Sequence, residues 1–176
     1  MPEISDDPDS ADRVTANADA LKNAWAATLD DMEALAAEYA DEGWETITVP
    51  AGHTAPEPPD SGVEGRFGLV YVIPGDRAED VATAIEAGEF PRYDVYRNEA
   101  GGQVFLVTVL TDPDTETAVF VAGGFERRTS RSLLSAVQDA GVMYTHLQKL
   151  DGTPVGSFEH DDPGKFFPAT DFTAGE

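Results

Sequence analysis

The sequence predicts an α+β protein built on a largely antiparallel sheet of about seven strands with three helices. Short apolar runs alternate with turn signals, and apolar residues recur at helical spacing in three further segments. Two neighbouring runs, 103–111 and 117–122, are apolar on both faces. Strands of that kind need cover on two sides, so both are expected in the interior of the protein. The predicted order of elements is αββαβββαββ.

The composition indicates one acidic domain. The chain has 176 residues, of which 34 are acidic and 11 basic, giving a net charge of −23 with the acids dispersed along its length. It has no cysteine, which excludes disulfides and thiolate chemistry. Because nucleic acids need clustered cations, the net negative charge argues against nucleic acid as a partner.

The first third of the chain predicts an arm, a helix and a strand. Residues 1–12 are polar and indicate a flexible acidic arm. Apolar residues at helical spacing predict a helix over 15–41, with Gly43 as its stop. Alternation predicts a half-buried strand over 44–49. The segment 50–63 contains four prolines and is predicted to be a loop.

The middle of the chain predicts alternating strands and helices. A strand over 66–73 is followed by a short helix that ends at Gly88, and then by a more exposed strand over 93–98. Gly101-Gly102 turns the chain into the apolar run 103–111. After the run 117–122, Gly123-Gly124 predicts a tight turn from strand to helix, and Gly141 ends that helix.

The C-terminal part predicts a hairpin and a tail. Strands over 142–150 and 153–159 flank Asp151-Gly152, a two-residue hairpin signal. The single domain is therefore assigned to residues 13–160, and residues 161–176 form a tail. Phe166, Phe167 and Phe172 predict that this tail packs back on the domain.

The order of the predicted elements contains two larger patterns, and the sequence does not decide whether either is real. The first eight elements follow the order of roadblock and longin-like domains, which they resemble in topology alone, and the last two strands have no place in that order. The second pattern is an internal duplication, because 69–96 resembles 118–147 as two ββαβ units. Hydrophobic alternation by itself also produces such similarity.

Arg127, Arg128 and Arg131 form the sharpest candidate site, at the predicted start of the third helix. A helix N-terminus disfavours cations, so three arginines there indicate a nearby anion. Arginine is also suited to two-point binding of carboxylate or phosphate. The anion is either a ligand or the protein's own acids, and the 34 available carboxylates favour the internal network. The preceding Gly-Gly lacks the spacing of a phosphate loop or dinucleotide fingerprint.

No other residues assemble a site. The three histidines, His53, His146 and His160, lack metal-ligand spacing. The acidic segments 112–116 and 160–162 are better explained as turns than as cation sites. The sequence contains no Gly-x-Ser-x-Gly, so we predict no catalytic residues, no metal ligands and no cofactor.

Composition and a few segments carry a resemblance. The acidic, lysine-poor chain, the stretch Gly123-Gly124-Phe-Glu-Arg-Arg and the Phe-rich tail resemble short, acidic, uncharacterised single-domain proteins of haloarchaea. The resemblance implies a protein adapted to high salt and carries no known activity.

Three functions are therefore expected, in order. The first is a non-enzymatic interaction or regulatory module of a halophilic archaeon, present as a homodimer or bound to a protein partner. The second is a domain that binds a small anion or phosphoryl ligand through the three arginines, and the third is an enzyme of unidentified class. The start of the chain lacks signal-peptide features and no apolar run reaches membrane-spanning length, so a cytoplasmic protein without a membrane partner is expected.

Overall fold

Two mixed four-stranded sheets form the framework of the protein. A computed structural model describes residues 8–59, 67–168 and 171. The helices are α1 (Pro8–Asp41), α2 (Gly75–Ala87) and α3 (Arg131–Ala140), with 3-10 turns at Arg127–Ser130 and Pro163–Phe166. The strands are β1 (Glu45–Pro50), β2 (His53–Glu57), β3 (Gly68–Val72), β4 (Arg92–Ala100), β5 (Gln103–Asp112), β6 (Thr117–Glu126), β7 (Met143–Gln148) and β8 (Pro154–His160).

The strands divide into sheet A, with order β1-β6-β5-β4, and sheet B, with order β2-β3-β7-β8. Each sheet contains one parallel pair, β1 with β6 and β3 with β7, and its other pairs are antiparallel. The α+β class with three helices is confirmed, and the prediction of one largely antiparallel sheet of about seven strands is approximate, because eight strands form two mixed sheets. Strands that are apolar on both faces can lie in the middle of one large sheet or of two smaller sheets. The sequence pattern therefore did not distinguish one sheet from two.

The two central strands of sheet A are covered on both faces, as their sequences require. Leu106 and Val121 face a large core that also contains residues of sheet B, α2 and α3. Val107 and Phe120 face the opposite way and pack beneath α1 in a second, smaller core. The helix α1 therefore lies outside sheet A, and α2 and α3 contribute to the core shared with sheet B.

The Gly-Gly pair lies inside β6, so the predicted strand-to-helix turn at this position is wrong. Gly123 pairs with Leu106 of β5. A Cβ atom at Gly123 would lie 2.5 Å from both Thr54 Oγ1 and Tyr71 Cε1 of sheet B. The glycine is needed because the two sheets touch here with no room for a side chain.

The proline-rich segment predicted as a loop contains an eighth strand, β2. Pro56 pairs with Leu69 of β3, and β2 forms the edge of sheet B. An edge strand tolerates proline because one side of its backbone has no partner strand. Residues 60–63 of the predicted loop lie outside the described residues.

The first helix is longer than its apolar stripe. It begins at Pro8, so residues 8–12 of the predicted arm are helical, while residues 1–7 lie outside the described residues. Proline is tolerated in the first helical turn, where its missing N–H would have no partner. The helix is followed by Gly43 in the left-handed region, with φ +93°, in agreement with the predicted stop.

The C-terminal segment contributes to the large core. Phe166 is 0% exposed and Phe167 is 1% exposed, and both pack with residues of sheets A and B. Phe172, the third aromatic residue of the predicted tail, lies outside the described residues. Asp171 lies beside α3, where its backbone carbonyl accepts a hydrogen bond from Gln138 Nε2 at 3.3 Å.

The pairing of strands can be compared with the two larger patterns in the sequence, the roadblock and longin-like order of elements and the internal duplication. Two mixed sheets differ from the single five-stranded antiparallel sheet of roadblock and longin-like domains. In both proposed ββαβ units, a hairpin leads through a helix to a strand of the other sheet. The last strands dock differently, however, since β4 is antiparallel to β5 and β7 is parallel to β3. The units are alike along the chain and unlike in their pairing.

Candidate functional site

The three arginines of the predicted site lie together on one cleft of about 800 Å³. The 3-10 turn between β6 and α3 places them there. Its hydroxyl groups fix the turn, because Ser130 Oγ donates to the Arg127 carbonyl at 2.7 Å and Thr129 Oγ1 donates to the Glu126 carbonyl at 2.9 Å. The Arg127 amide also donates to the Gly102 carbonyl at 3.0 Å, which ties this turn to the β4–β5 hairpin.

The opposite side of the cleft is formed by that hairpin and by the N-terminal half of α1. Asn17 and Leu21 of α1 line the cleft beside Gly101, Gly102 and Gln103. Gly101 has φ +55°, and a Cβ atom there would lie 2.6 Å from Asn17 Oδ1. Glycine is needed at this position both for the left-handed backbone and for the close approach of the helix.

One of the three arginines is paired with a carboxylate of the protein itself. Arg127 Nε donates to Asp171 Oδ2 at 2.8 Å, and Arg127 Nη2 donates to Asp171 Oδ1 at 2.6 Å. This is the two-point geometry by which a guanidinium group binds carboxylate or phosphate. The hydrogen bond to Arg127 holds the pKa of Asp171 below its ordinary value. Glu99 of β4 lies 3.6 Å from Arg127 Nη1 and adds a second, looser ion pair.

The other two arginines are more accessible. The Arg128 side chain is 81% exposed, and its Nε donates to Oε2 of Glu126, two residues earlier in the chain, at 3.3 Å. Arg131 is exposed, and within the described part of the chain it forms no ion pair. The cleft thus has two arginines that a dissolved anion can reach.

The charge around the cleft is locally balanced. Its lining carries three arginines against Glu126 and Asp171, and Glu99 stands beside Arg127. The chain as a whole has a net charge of −23. The cleft is therefore much less repulsive to an anion than most of the surface.

Of the three arginines, Arg127 takes part in an internal ion-pair network, whereas Arg128 and Arg131 are exposed. The internal network is present at Arg127, and its acids come from the C-terminal segment and β4. Sequence analysis missed Asp171, Asn17 and Gln103 as cleft residues, because no local pattern connects them with α3.

The histidines do not come together. His160 is 0% exposed at the end of β8, where its Nε2 lies 2.7 Å from Thr145 Oγ1. Burial lowers the pKa of His160 to about 4. His146 Nδ1 lies 2.8 Å from Ser157 Oγ on the other face of sheet B, and His53 is exposed on β2.

The acidic segment 112–116 forms a turn, as its composition indicates. Asp112 Oδ1 accepts a hydrogen bond from the Asp114 amide at 3.1 Å, and Oδ2 accepts one from Thr115 Oγ1 at 3.0 Å. Among the described residues, no group of three or more histidine or acidic side chains is placed to hold a metal ion.

The fold and the cleft together define a small α+β protein with two mixed sheets and an arginine-lined cleft between α1 and α3. The chain belongs to the Family of unknown function (DUF7529), which it matches over residues 11–168. The matched span contains the cleft residues except Asp171. No curated protein and no solved structure matches the chain. None of the described helices is both long enough and apolar enough to cross a membrane.

Proposed function

We propose that this protein binds a small anionic ligand, a phosphate or carboxylate group, in the cleft lined by Arg127, Arg128 and Arg131. The observation that carries the proposal is the two-point contact between Arg127 and the Asp171 carboxylate. That carboxylate stands where the anionic group of a ligand would bind. The geometry of anion capture is thus already formed in the protein, and a second anion meets two further exposed arginines.

The ligand binds by one of two routes that the same residues allow. It either joins Arg128 and Arg131 while Asp171 stays on Arg127, or it displaces Asp171 and takes its place. Asp171 is one-quarter exposed, with 24% of its side chain accessible, so displacement requires little unpacking. A cleft of about 800 Å³ has room for both the ligand and the displaced carboxylate.

The test is a thermal-shift series at constant ionic strength, in which inorganic phosphate replaces chloride. A ligand at ten times its Kd stabilises the fold by about 1.4 kcal/mol, which raises the Tm of a protein of this size by about 3 to 6 °C. The substitution Arg128→Ala should abolish this phosphate-dependent rise. Because the Arg128 side chain is 81% exposed, its removal should leave the Tm in chloride nearly unchanged.

The matched control is Arg92→Ala, which removes an exposed arginine of β4 outside the cleft. It should retain the full response to phosphate. If the wild type and Arg128→Ala respond equally to phosphate, the arginines serve only the internal network, and the proposal is wrong.

A second candidate function, an interaction module, is favoured by the outer face of sheet B. Val72, Tyr144 and His146 are half-buried there, whereas their neighbours Tyr71 and Leu147 are fully buried in the large core on the other face. Tyr144 and His146 stack with ring centroids 5.8 Å apart. A partly apolar, aromatic sheet face of this kind suits a second copy of the chain, as the predicted homodimer requires.

A further inference from the structure

A second cavity adjoins the arginine cleft and has walls of a different chemistry. It has a volume of about 330 Å³ and shares Leu21 and Gln103 with the cleft. The two cavities therefore meet along α1 and the start of β5.

The second cavity is lined by two aromatic side chains, one of which is partly accessible. Trp25 of α1 and Phe105 of β5 line it with their ring centroids 6.4 Å apart. Trp25 is half-buried, so part of its ring is accessible, whereas Phe105 is 5% exposed and supports it from beneath. Gly52 and Gly124 also line this cavity and contribute no side chain that would fill it.

We propose that the two cavities form one groove that binds an aromatic compound bearing a phosphate or carboxylate group. This inference rests on the proposed function and adds the chemical class of the ligand. The anionic group lies at the arginines, and the flat apolar group lies against Trp25. Trp25 offers an aromatic face on which a flat ring can stack. The arginines offer the hydrogen-bond donors that the anionic group needs.

The arrangement of charge supports this orientation of the ligand. The three arginines line the first cavity alone, and the two ionisable residues of the second, Lys22 and His53, are exposed. Among the described residues, no acidic side chain lines the second cavity, although the chain carries 34 acids. An aromatic anion therefore meets no carboxylate of the described residues along the second part of the groove.

The test compares inorganic phosphate with phenyl phosphate by calorimetric titration of the full chain at constant ionic strength. We expect phenyl phosphate to bind at least about tenfold more tightly than inorganic phosphate, since aromatic contacts of this kind contribute about that factor. Phosphate binding without any preference for phenyl phosphate overturns this inference and leaves the anion-binding function standing. Failure of both compounds to bind overturns both proposals.

A substitution that fills the second cavity locates the ring. A Cβ atom at Gly52, which lines this cavity, would have only the Val72 carbonyl oxygen nearby, at 3.9 Å, so the Cβ of Gly52→Leu is accommodated and the larger side chain is expected to occupy part of the cavity. This variant should lose the preference for phenyl phosphate and still bind inorganic phosphate. Gly75→Leu is the matched control, because Gly75 also has open space around it and lies outside both cavities. Equal preference in the two glycine variants contradicts the inference.

A fluorescence measurement gives an answer even if Gly52→Leu does not fold. Trp25 and Trp44 are the two tryptophans of the chain, so Trp44→Phe leaves Trp25 as the single reporter. Saturating phenyl phosphate should shift the emission of Trp25 to the blue, because the bound ring excludes water from the indole. An emission spectrum identical to that in inorganic phosphate would place the ring elsewhere and refute the inference.

Discussion

Arg127 and Asp171, 44 residues apart in the chain, are joined by two hydrogen bonds of 2.8 and 2.6 Å. The contact connects the start of α3 to the C-terminal segment at the edge of the cleft. Asp171 is held from its backbone as well, since its amide donates to the Pro168 carbonyl at 2.9 Å and its own carbonyl accepts from Gln138 Nε2 at 3.3 Å. The protein therefore places one of its own carboxylates at the candidate site, where it would compete with an anionic ligand for Arg127.

The first prediction removes this competitor. Asp171→Asn deletes the negative charge and leaves Arg127 available, so phosphate should bind about three- to tenfold more tightly than to the wild type. The Tm in chloride should fall slightly, because an ion pair near the surface is lost. Calorimetric titration measures the affinity. Asp139→Asn, which changes an exposed acid of α3, is the control and should leave the affinity unaltered.

Unchanged phosphate affinity in Asp171→Asn would show that Asp171 does not share a site with the ligand. Weaker affinity would show that this carboxylate helps to shape the cleft instead of competing for it.

The second prediction concerns pH and His160. Burial lowers the pKa of His160 from its ordinary 6.5 to about 4, so the unfolded chain takes up a proton more readily than the folded protein below pH 6.5. The contribution of His160 to the free energy of unfolding is therefore fully present above pH 6.5 and falls as the pH drops towards 4. The loss should be about 2 kcal/mol between pH 7.5 and pH 5.

Chemical denaturation at the two pH values, in molar KCl to screen the surface acids, measures this loss. His160→Gln should remove most of the difference between pH 7.5 and pH 5, whereas His53→Gln, which changes an exposed histidine, should retain it. If His160→Gln shows the same pH dependence as the wild type, the loss arises from other groups.

The third prediction concerns the contact between the two sheets. Gly123→Ala places a Cβ atom 2.5 Å from Thr54 Oγ1 and Tyr71 Cε1, so these side chains or the strands that carry them must shift. Overpacking of this kind should destabilise the fold by about 1 to 3 kcal/mol. Gly75→Ala is the control, because no atom lies within 4 Å of its new Cβ. Urea denaturation of both variants checks the difference, and equal stability would mean that the sheets do not touch at β6.

The fourth prediction concerns assembly. A homodimer formed through the outer face of sheet B should have about twice the 18.8 kDa mass of the chain in light scattering at high salt. Val72→Glu places a charge on this face and should yield the monomer, whereas Ala27→Glu, on the exposed side of α1, should not. A wild-type protein that is monomeric throughout the micromolar range would exclude this interface.

The fifth prediction concerns salt. The 34 acids are dispersed over the chain, so their mutual repulsion in dilute buffer should be relieved when molar KCl reduces the screening length to about 3 Å. The Tm should rise steeply from dilute buffer to molar KCl. A flat or falling Tm over that range would remove the argument for adaptation to high salt.

Local signals in the sequence predicted most elements of the fold. The apolar runs gave the central strands, Gly43 and Gly141 marked helix ends, and Asp151-Gly152 marked the last hairpin. Gly123-Gly124 was misassigned because glycine has two uses, in turns and at close approaches, and only the position of sheet B distinguishes them. β2 was missed because proline breaks central strands but is tolerated at a sheet edge.

Of the residues that line the candidate site, the sequence predicted the arginines and not the residues that face them. The three arginines stand close together in the sequence, and an unfavourable cluster at a helix start is a local signal. Their neighbours in the cleft come from α1, the β4–β5 hairpin and the C-terminal segment. Asp171 is one of many acids in the sequence, and nothing in its local context distinguishes it from the others. The second cavity depends in the same way on Trp25 and Phe105 meeting across two elements.

The interleaving of the two sheets has a consequence for synthesis on the ribosome. β1 emerges early but has no neighbour in sheet A until β6 has been made, and the hairpin β2–β3 waits for β7. Pairings between such distant segments slow folding. The hairpins β4–β5–β6 are the largest group of strands that can pair in order as the chain emerges. Sheet A therefore cannot be completed before β6 has been made, and sheet B must wait for β7 and β8. A chain that stops before β7 would leave β3 exposed as a sheet edge open to aggregation.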